Sequence, residues 1–287
     1  LSPTRSELEA QPGESRKFTV ILKNVTQSAI VAQSILSDFE SDGVSGTPKI
    51  IIEDREERSP YSIAKMLTTL ADVELQPGET KEIEHTINVP ADAAPGAYFG
   101  ALRYASVPKG QTLSADQRQV ALTASVAHLV LVEVPGDIVQ QIQIEDVTAQ
   151  NSGNPGSIFF KAPNQVAATI KNLGNGFSRP FGQVDVKNMT GKEVAKYEVN
   201  NTEPKGIILP NSSRTFTDDI SNIKTPGKYT VTASVAYGNG GEVVTFKSSF
   251  WYLPIWFVAI VVLLLGALIT GSYVLYKKRF AGTSKRR

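Results

Sequence analysis

The stretch KYTVTASVAY, residues 228–237, decides the fold because apolar and polar residues alternate along it. Its odd positions, beginning with Tyr229, are apolar, and the positions between them are mostly polar. A period of two residues is the pattern of a half-buried β-strand. Gly238-Asn239-Gly240-Gly241 follows and suits a hairpin turn, after which residues 242–250 return as the next strand.

Turn signals recur throughout the first 250 residues and divide the chain into many short strands. They are Pro12-Gly13, Pro77-Gly78, Pro95-Gly96, Pro135-Gly136, Asn175-Gly176, Pro210-Asn211 and Pro226-Gly227. Short alternating strands with regular turns are typical of all-β sandwiches. We therefore predict an all-β chain of tandem Ig-like antiparallel β-sandwich domains.

An internal repeat indicates two such domains. Lys23-Asn24 closes one alternating run, and Lys171-Asn172 closes a similar one. Later, Pro95-Gly96-Ala97-Tyr98 matches Pro226-Gly227-Lys228-Tyr229. We place the first domain at residues 1–136 and the second at residues 137–250. The landmarks lie further apart in the first copy, which predicts an insertion near residues 41–69.

The insertion is predicted to contain a short helix. Ser59-Pro60 resembles an N-cap followed by the first helical position. Ile63, Met66 and Leu67 would then give that helix one apolar stripe. Two interpretations stay open for the insertion: a recognition element, or a solvated loop that caps one end of the sandwich.

If the insertion recognises a partner, its arginines and tyrosine are the best candidates for contact. Arg55, Arg58 and Tyr61 are therefore our predicted partner-binding residues, since Tyr and Arg are favoured anchors at protein interfaces.

The charges of the chain nearly cancel but are unevenly distributed. The 29 Lys and Arg against 28 Asp and Glu give a formal net charge of +1. Six basic residues lie in the acid-free segment 277–287, so the rest of the chain is acidic. An acidic N-terminal part argues against a nucleic-acid partner, because it would repel phosphate. A basic end after a long uncharged stretch suggests a membrane protein.

Residues 255–275 are almost entirely apolar and match the ~20 residues that a helix needs to cross a bilayer. We predict a transmembrane helix over residues 251–276 and a basic cytoplasmic tail over residues 277–287. The predicted interface residues are Trp251, Tyr252, Trp256, Tyr273 and Tyr276. The predicted topology-setting residues are Lys277, Lys278 and Arg279. A buried core helix and a tail-anchored topology are the weaker alternatives.

Small residues within this helix are spaced for close helix packing. They are Gly266, Ala267, Thr270 and Gly271. Such spacing lets two helices approach, so an oligomer is possible, although small residues are common in any membrane helix.

The composition argues against catalysis, cofactors and metals. Cysteine is absent, and the chain has only two histidines. His85 falls on the polar side of a strand and His128 on the apolar side of another, so we interpret both as packed or surface histidines. Asp38, Glu40 and Asp42 alternate but lack the register of a Ca²⁺ loop, and we expect a solvated acidic edge. We predict no catalytic, cofactor or metal site and no enzyme.

The order of these parts resembles a bacterial surface family. Leu8-Glu9-Ala10-Gln11-Pro12-Gly13-Glu14, and later Pro90-Ala91-Asp92-Ala93-Ala94-Pro95-Gly96-Ala97-Tyr98, are similar to the opening and the end of the first domain of the WxL-interacting proteins. The resemblance implies a first Ig-like domain that binds peptidoglycan and a second that binds a partner. It also implies a single C-terminal helix with a basic tail.

Together these observations predict a single-pass type I protein of the plasma membrane, with its first 250 residues extracellular and its C-terminus cytoplasmic. Its exterior would bind cell-wall polymer or another surface protein and serve in adhesion. The alternative is a structural or accessory subunit of a larger envelope assembly that associates through the helix and sheet edges. No signal peptide is visible at Leu1, so we expect that one was removed or that the chain was trimmed.

Overall fold

The computed structural model describes residues 1–52, 58–110, 125–238 and 242–281. Nine strands precede residue 137 within this part of the chain: β1 (Arg5–Glu9), β2 (Ser15–Lys23), β3 (Ile30–Ser37), β4 (Phe39–Ser41), β5 (Pro48–Ile50), β6 (Val73–Leu75), β7 (Thr80–Asn88), β8 (Gly96–Pro108) and β9 (Val126–Val134). A further nine follow: β10 (Ile142–Asn151), β11 (Asn154–Gly156), β12 (Ile158–Phe159), β13 (Gln165–Asn172), β14 (Phe181–Asn188), β15 (Glu193–Val199), β16 (Ser213–Asp219), β17 (Gly227–Tyr237) and β18 (Glu242–Tyr252). The helix α1 spans Ile255–Ala281.

The strands form two sandwiches. In the first, a five-stranded sheet of order β1-β9-β8-β3-β6 packs on the pair β2-β7, and β4 and β5 form a separate hairpin. In the second, a four-stranded sheet of order β11-β10-β13-β16 packs on a five-stranded sheet of order β12-β18-β17-β14-β15. The prediction of a predominantly β chain followed by a C-terminal helix is confirmed at this level.

In each sandwich, an early segment of the chain pairs first with one sheet and then, in parallel, with the other. In the first, Ser2 bridges Ile21 of β2, and β1 then pairs in parallel with β9. In the second, β11 pairs with β10, and β12 then pairs in parallel with β18. Parallel pairs are unexpected in a chain of hairpins, because adjacent strands joined by short turns run antiparallel.

The segment that crosses the end of the first sandwich holds a 3₁₀-helix, Ile63–Lys65. Its N-cap is Ser62, whose hydroxyl accepts a hydrogen bond from the Ala64 N–H. The prediction of Ser59 as the N-cap was wrong: the Ser59 hydroxyl accepts from the Tyr61 N–H and forms the preceding turn instead. Ile63, Met66 and Leu67 are all buried in the core of the first sandwich, but the helix is shorter than predicted and contains only Ile63 of the three.

A third hydrophobic cluster joins the two domains. It contains Phe39, Ala97, Phe99, Ala101 and Leu131 of the first domain with Phe177 and Ile207 of the second. Almost every residue of β8 is buried, because this cluster covers one face of the strand and the core covers the other. Complete burial of a Phe or Ile side chain contributes about 1.5–3 kcal/mol, so the two domains are held together firmly.

The repeated asparagines occupy equivalent positions in the two domains. The Asn24 amide donates to the Ser28 and Leu75 carbonyls, and its oxygen accepts from the Thr26 N–H. The Asn172 amide donates to the Gly176 and Ile208 carbonyls, and its oxygen accepts from the Gly174 N–H. Both side chains are 1% exposed. Each asparagine therefore fastens its own loop to a neighbouring turn, which explains the repeat.

Both histidines lie in the core of the first domain. Phe18 stacks between them, with ring centroids 5.3 Å from His85 and 5.4 Å from His128. The His85 ring bonds the Tyr104 hydroxyl across the sandwich at 2.6 Å. The expectation that His85 lies on a polar face was therefore wrong, because Tyr104 supplies a buried partner for its ring nitrogen. Burial lowers the pKa of both histidines.

The helix α1 begins two residues after β18, and none of the residues in its apolar window is buried within the described part of the chain. Trp251 and Tyr252, which we had included in the helix, are the last two residues of β18. The described residues contain one helix that is long and apolar enough to cross a membrane, at Ile255–Arg279.

Candidate functional site

A cleft of about 700 Å³ lies where the two sandwiches meet. The first domain contributes the segment around β4 and residues 58–61, and the second contributes the turn before β16. The charged and aromatic side chains that line the cleft are Asp38, Phe39, Glu40, Arg58, Tyr61, Phe99 and Glu145. Phe39 and Phe99 of the interdomain cluster also line the cleft, so its floor is continuous with the core between the domains.

Two of the three predicted partner-binding residues lie in this cleft. Tyr61 stacks on Phe99 with ring centroids 5.8 Å apart, and its hydroxyl accepts a hydrogen bond of 2.7 Å from the Asn211 amide. Arg58 stands at the wall, and its guanidinium is 3.5 Å from the Asp38 carboxylate. Arg55 lies outside the described residues.

Asp38 organises the wall that carries Arg58 and Tyr61. Its carboxylate accepts hydrogen bonds from the Ser62 hydroxyl at 2.6 Å and from the Ser59 N–H at 3.2 Å. Asp38 is 8% exposed, so the expectation that it belongs to a solvated acidic edge was wrong. Its buried charge is compensated by these donors, as a buried carboxylate requires.

The loop between β4 and β5 reaches across to the second domain. The Asp42 carboxylate accepts from the Ser45 hydroxyl and from the N–H groups of Val44, Ser45 and Gly46. These bonds, the Ser45 hydroxyl first, lower the pKa of Asp42 to about 2. The Thr215 N–H of β16 then donates to the Val44 carbonyl at 2.6 Å. The loop thereby pairs with the edge of the second domain's sheet beside the cleft.

The side chain of Arg214 of β16 lies against the same loop, next to Gly46. Its guanidinium lies 5.3 Å from the centroid of the Phe216 ring and donates to the Ile207 carbonyl at 3.1 Å. Gly46 has a φ of 75°, and a Cβ there would come within 2.6 Å of the Arg214 side chain, which would have to shift. Sequence reasoning missed Arg214, Asn211 and Asp38, because their roles depend on contacts between distant segments.

The carboxylates of the cleft already have partners. Glu145 accepts from the Ser213 hydroxyl at 2.7 Å and lies 3.8 Å from the Lys171 ammonium. Glu40 lies 3.7 Å from the Lys49 ammonium. Among the described residues, no group of three or more His, Cys, Asp or Glu side chains is arranged to hold a metal ion. The cleft offers hydrogen-bonding groups and an aromatic floor formed by Tyr61 and Phe99.

The predicted interface and topology residues lie at the two ends of α1. Trp251 and Tyr252 stand before its first turn, Trp256 lies within that turn, and Tyr273 and Tyr276 precede Lys277, Lys278 and Arg279. Of the small residues, Gly266 and Gly271 have open space where a Cβ would stand. The Thr270 hydroxyl donates to the Gly266 and Ala267 carbonyls of its own helix. Helix association through these positions stays a prediction.

Comparison with known proteins gives structural likenesses only. No family model matches the chain, and no curated protein matches it. Among solved structures, it resembles a chain of a chaperone–tip adhesin complex in CFA/I fimbriae biogenesis. The two share 13% sequence identity with a TM-score of 0.40, and the match covers 88% of this chain and 97% of that chain. It also resembles the class 5 fimbriae chaperone CfaA, with 13% sequence identity and a TM-score of 0.39, and this match covers 88% of this chain and 98% of that chain. Likenesses of this size assign no function to the chain.

The resemblance to the WxL-interacting proteins was wrong, since no family model matches the chain. The predicted binding of cell-wall polymer and the predicted role in adhesion depended on this resemblance and were also wrong. The motifs that suggested the family are local structural devices. Gly96 and Gly227 both adopt a positive φ, of 144° and 143°, and Tyr98 and Tyr229 each donate to the carbonyl four residues earlier.

Proposed function

We propose that this chain is a non-enzymatic, membrane-tethered module that holds a segment of another protein in the cleft between its two domains. The cleft carries this proposal, because both sandwiches build it and the interdomain cluster keeps it open. Clefts of roughly 300–1,000 Å³ are the usual size of ligand sites, and this one falls within that range.

The chemistry of the cleft favours a polypeptide. Tyr61 presents an aromatic ring on a rigid support, and Arg58 presents a half-exposed guanidinium beside it. Aromatic rings and arginines dominate binding energy at protein interfaces. The hydroxyl groups of Ser59 and Ser212 and the Asn211 amide line the same cleft, where they suit the amide groups of a peptide backbone.

The proposal also includes the type of fold and the membrane topology of the chain. We assign both sandwiches to the Ig-like type and the chain to a single-pass topology, with the sandwiches outside the cytoplasm and the basic tail inside it. The apolar, unpacked surface of α1 supports a membrane span, and Lys277, Lys278 and Arg279 support the orientation, because basic residues stay on the cytoplasmic side.

Site-specific photo-crosslinking of the full chain in native membranes tests the proposal. A photoreactive amino acid at Glu40, which is exposed at the cleft, should trap a discrete protein partner. The same amino acid at Lys196, exposed on β15 and away from the cleft, serves as the matched control. We expect a defined adduct from position 40 and none from position 196.

Two substitutions then locate the contact. Tyr61→Ala should abolish the adduct from position 40, because it removes the aromatic floor. Arg58→Glu, at an exposed position, should weaken the adduct without disturbing the fold, as judged by circular dichroism. Equal adducts from positions 40 and 196, or an adduct insensitive to both substitutions, would show that the cleft is not the binding site.

A further inference from the structure

We propose that the end of the second domain next to α1 rests on the lipid bilayer itself, through an apolar row formed by Ile158, Phe160, Met189 and Trp251. This inference rests on the membrane span of the proposed function. It adds that a folded surface of the sandwich, in addition to the helix, contacts lipid headgroups.

Strand pairing brings the row together. Ile158 of β12 lies opposite Trp251 of β18, and Trp251 lies opposite Lys228 of β17. Met189 reaches the same end, because its sulfur lies 2.6 Å from the position of a Cβ on Gly227. Gly227 in turn lies opposite Tyr252, the last residue of β18.

All four apolar side chains are exposed to solvent in the isolated chain. The exposed fraction is 56% for Ile158, 55% for Phe160, 68% for Met189 and 42% for Trp251. The next three opposed pairs on the same face of β17 and β18 are polar: Thr230 with Ser249, Thr232 with Lys247 and Ser234 with Thr245. A clustered set of large exposed apolar residues marks an interaction surface.

The row begins at the depth of the headgroups and extends away from the membrane. The Leu253 N–H donates to the Phe159 carbonyl at 2.8 Å, so Phe160 stands level with Leu253, directly before α1 begins at Ile255. Extended residues advance about 3.3 Å each, which places Trp251 within roughly 13 Å of Ile255. The headgroup layer is about 5–8 Å thick on each side of the bilayer. Phe160, which is level with a position two residues before Ile255, therefore falls inside that layer, and Trp251 lies up to about 5 Å beyond it.

The charges around the row suit an anionic lipid surface. Five lysines lie at this end of the domain, against three carboxylates. The lysines are Lys161, Lys187, Lys192, Lys224 and Lys228, and the carboxylates are Glu193, Asp218 and Asp219. Lys161 directly follows Phe160, and Lys228 is opposite Trp251. Lysines near a membrane surface are attracted to anionic headgroups, so apolar and electrostatic contacts act at the same place.

The two tryptophans of the chain provide the test. The full chain is reconstituted in vesicles of neutral and anionic phospholipid. Trp256→Phe leaves Trp251 as the only tryptophan, and Trp251→Phe leaves Trp256 as a reporter of the helix. We expect nitroxide-labelled headgroups to quench Trp251 and aqueous iodide to be excluded from it. Lipids with brominated chains should quench Trp256.

Substitutions within the row sharpen the test. Phe160→Ser should expose Trp251 to iodide. Phe181→Ser should not, because Phe181 is an exposed ring on the same sheet at the opposite end. Lys161→Glu with Lys228→Glu should remove the effect of anionic lipid on Trp251 while leaving the apolar row intact.

The outcomes separate the two proposals. If neither headgroup nitroxide nor brominated lipid quenches Trp256, the helix does not enter the bilayer and the membrane tether itself fails. If Trp256 is quenched but headgroup nitroxide leaves Trp251 unaffected, only the contact of the sandwich with lipid is overturned. Protection of Trp251 from iodide without nitroxide quenching would indicate that protein covers the row, and this too would overturn the inference.

Discussion

The two Pro-Gly-x-Tyr turns share their backbone and differ in their neighbours. In both, the glycine has a φ near +144° and the tyrosine hydroxyl donates to the carbonyl four residues earlier. In the first domain, the Ala97 N–H donates to the Asn175 carbonyl of the second domain. In the second domain, the turn faces Met189 at the end next to α1. The same type of turn therefore contacts the other domain when it is in the first domain, and lies next to the helix when it is in the second.

The largest expected difference between the turns comes from adding a methyl group. A Cβ on Gly96 would lie 2.9 Å from the Asn175 carbonyl oxygen, whereas a Cβ on Gly227 would meet only the flexible side chain of Met189. The strained φ costs about 1–3 kcal/mol in either case, and a clash with backbone adds about 1–3 kcal/mol more. Gly96→Ala should therefore destabilise the protein more than Gly227→Ala.

Urea unfolding of the full chain in detergent, followed by circular dichroism, measures both variants. Gly227→Ala is the matched control, since it carries the same backbone strain. Equal losses of stability would mean that the contact with Asn175 contributes nothing and that the two turns are energetically alike.

The buried asparagines should behave alike in the two domains, which limits the difference to the turns. Asn24→Ala and Asn172→Ala each leave buried carbonyls without a donor, which costs about 1–3 kcal/mol per group. We expect each substitution to lower the free energy of unfolding by about 2 kcal/mol. Asn154→Ala, at an exposed position with two 3.3 Å bonds to nearby carbonyls, should be close to neutral. A large effect from only one of the buried pair would contradict their equivalence.

The smallest difference concerns acid sensitivity, because both histidines belong to the first domain. Burial lowers the pKa of His85 and His128, and for His85 the nearby charge of His128 adds to this. Below the ordinary histidine pKa of about 6.5, the two histidines bind protons in the unfolded chain but stay neutral in the folded domain. Stability is therefore full above that pH and falls as the pH drops below it.

A comparison of urea midpoints at neutral and mildly acidic pH tests this expectation. The His85→Gln, His128→Gln double variant should lose most of the change of the urea midpoint with pH. It keeps all carboxylates of the wild-type chain, including Glu133, whose pKa is raised by burial. A wild-type chain with the same midpoint at both pH values would contradict the assignment.

Local patterns in the sequence predicted the local structure well. The alternation over residues 228–237 became β17, and the apolar stretch after Pro254 became α1. Both depend on residue neighbours within a few positions, which is the range over which a period of two or a hydrophobic run is informative.

Contacts between distant segments were not predictable in the same way. The burial of Asp38 depends on Ser62, and the burial of His85 depends on Tyr104 in a different strand. The interdomain cluster depends on contact between Phe177 and β8, and the periodicity of neither segment predicts that contact. The candidate site was found only in part, since Arg58 and Tyr61 were identified from residue type while their partner Asn211 was not.

The attachment of α1 to β18 has a mechanical consequence. A pull on the helix runs along the axis of β18, whose pairing with β17 extends from Gly227 opposite Tyr252 to Tyr237 opposite Glu242. The load enters the domain at its opposite end, through the connection to β10. The hydrogen bonds of the β17–β18 ladder are therefore stressed together in shear, instead of opening one after another as a zipper does. The second domain is built to stay folded under tension that would peel apart a strand anchored from the side.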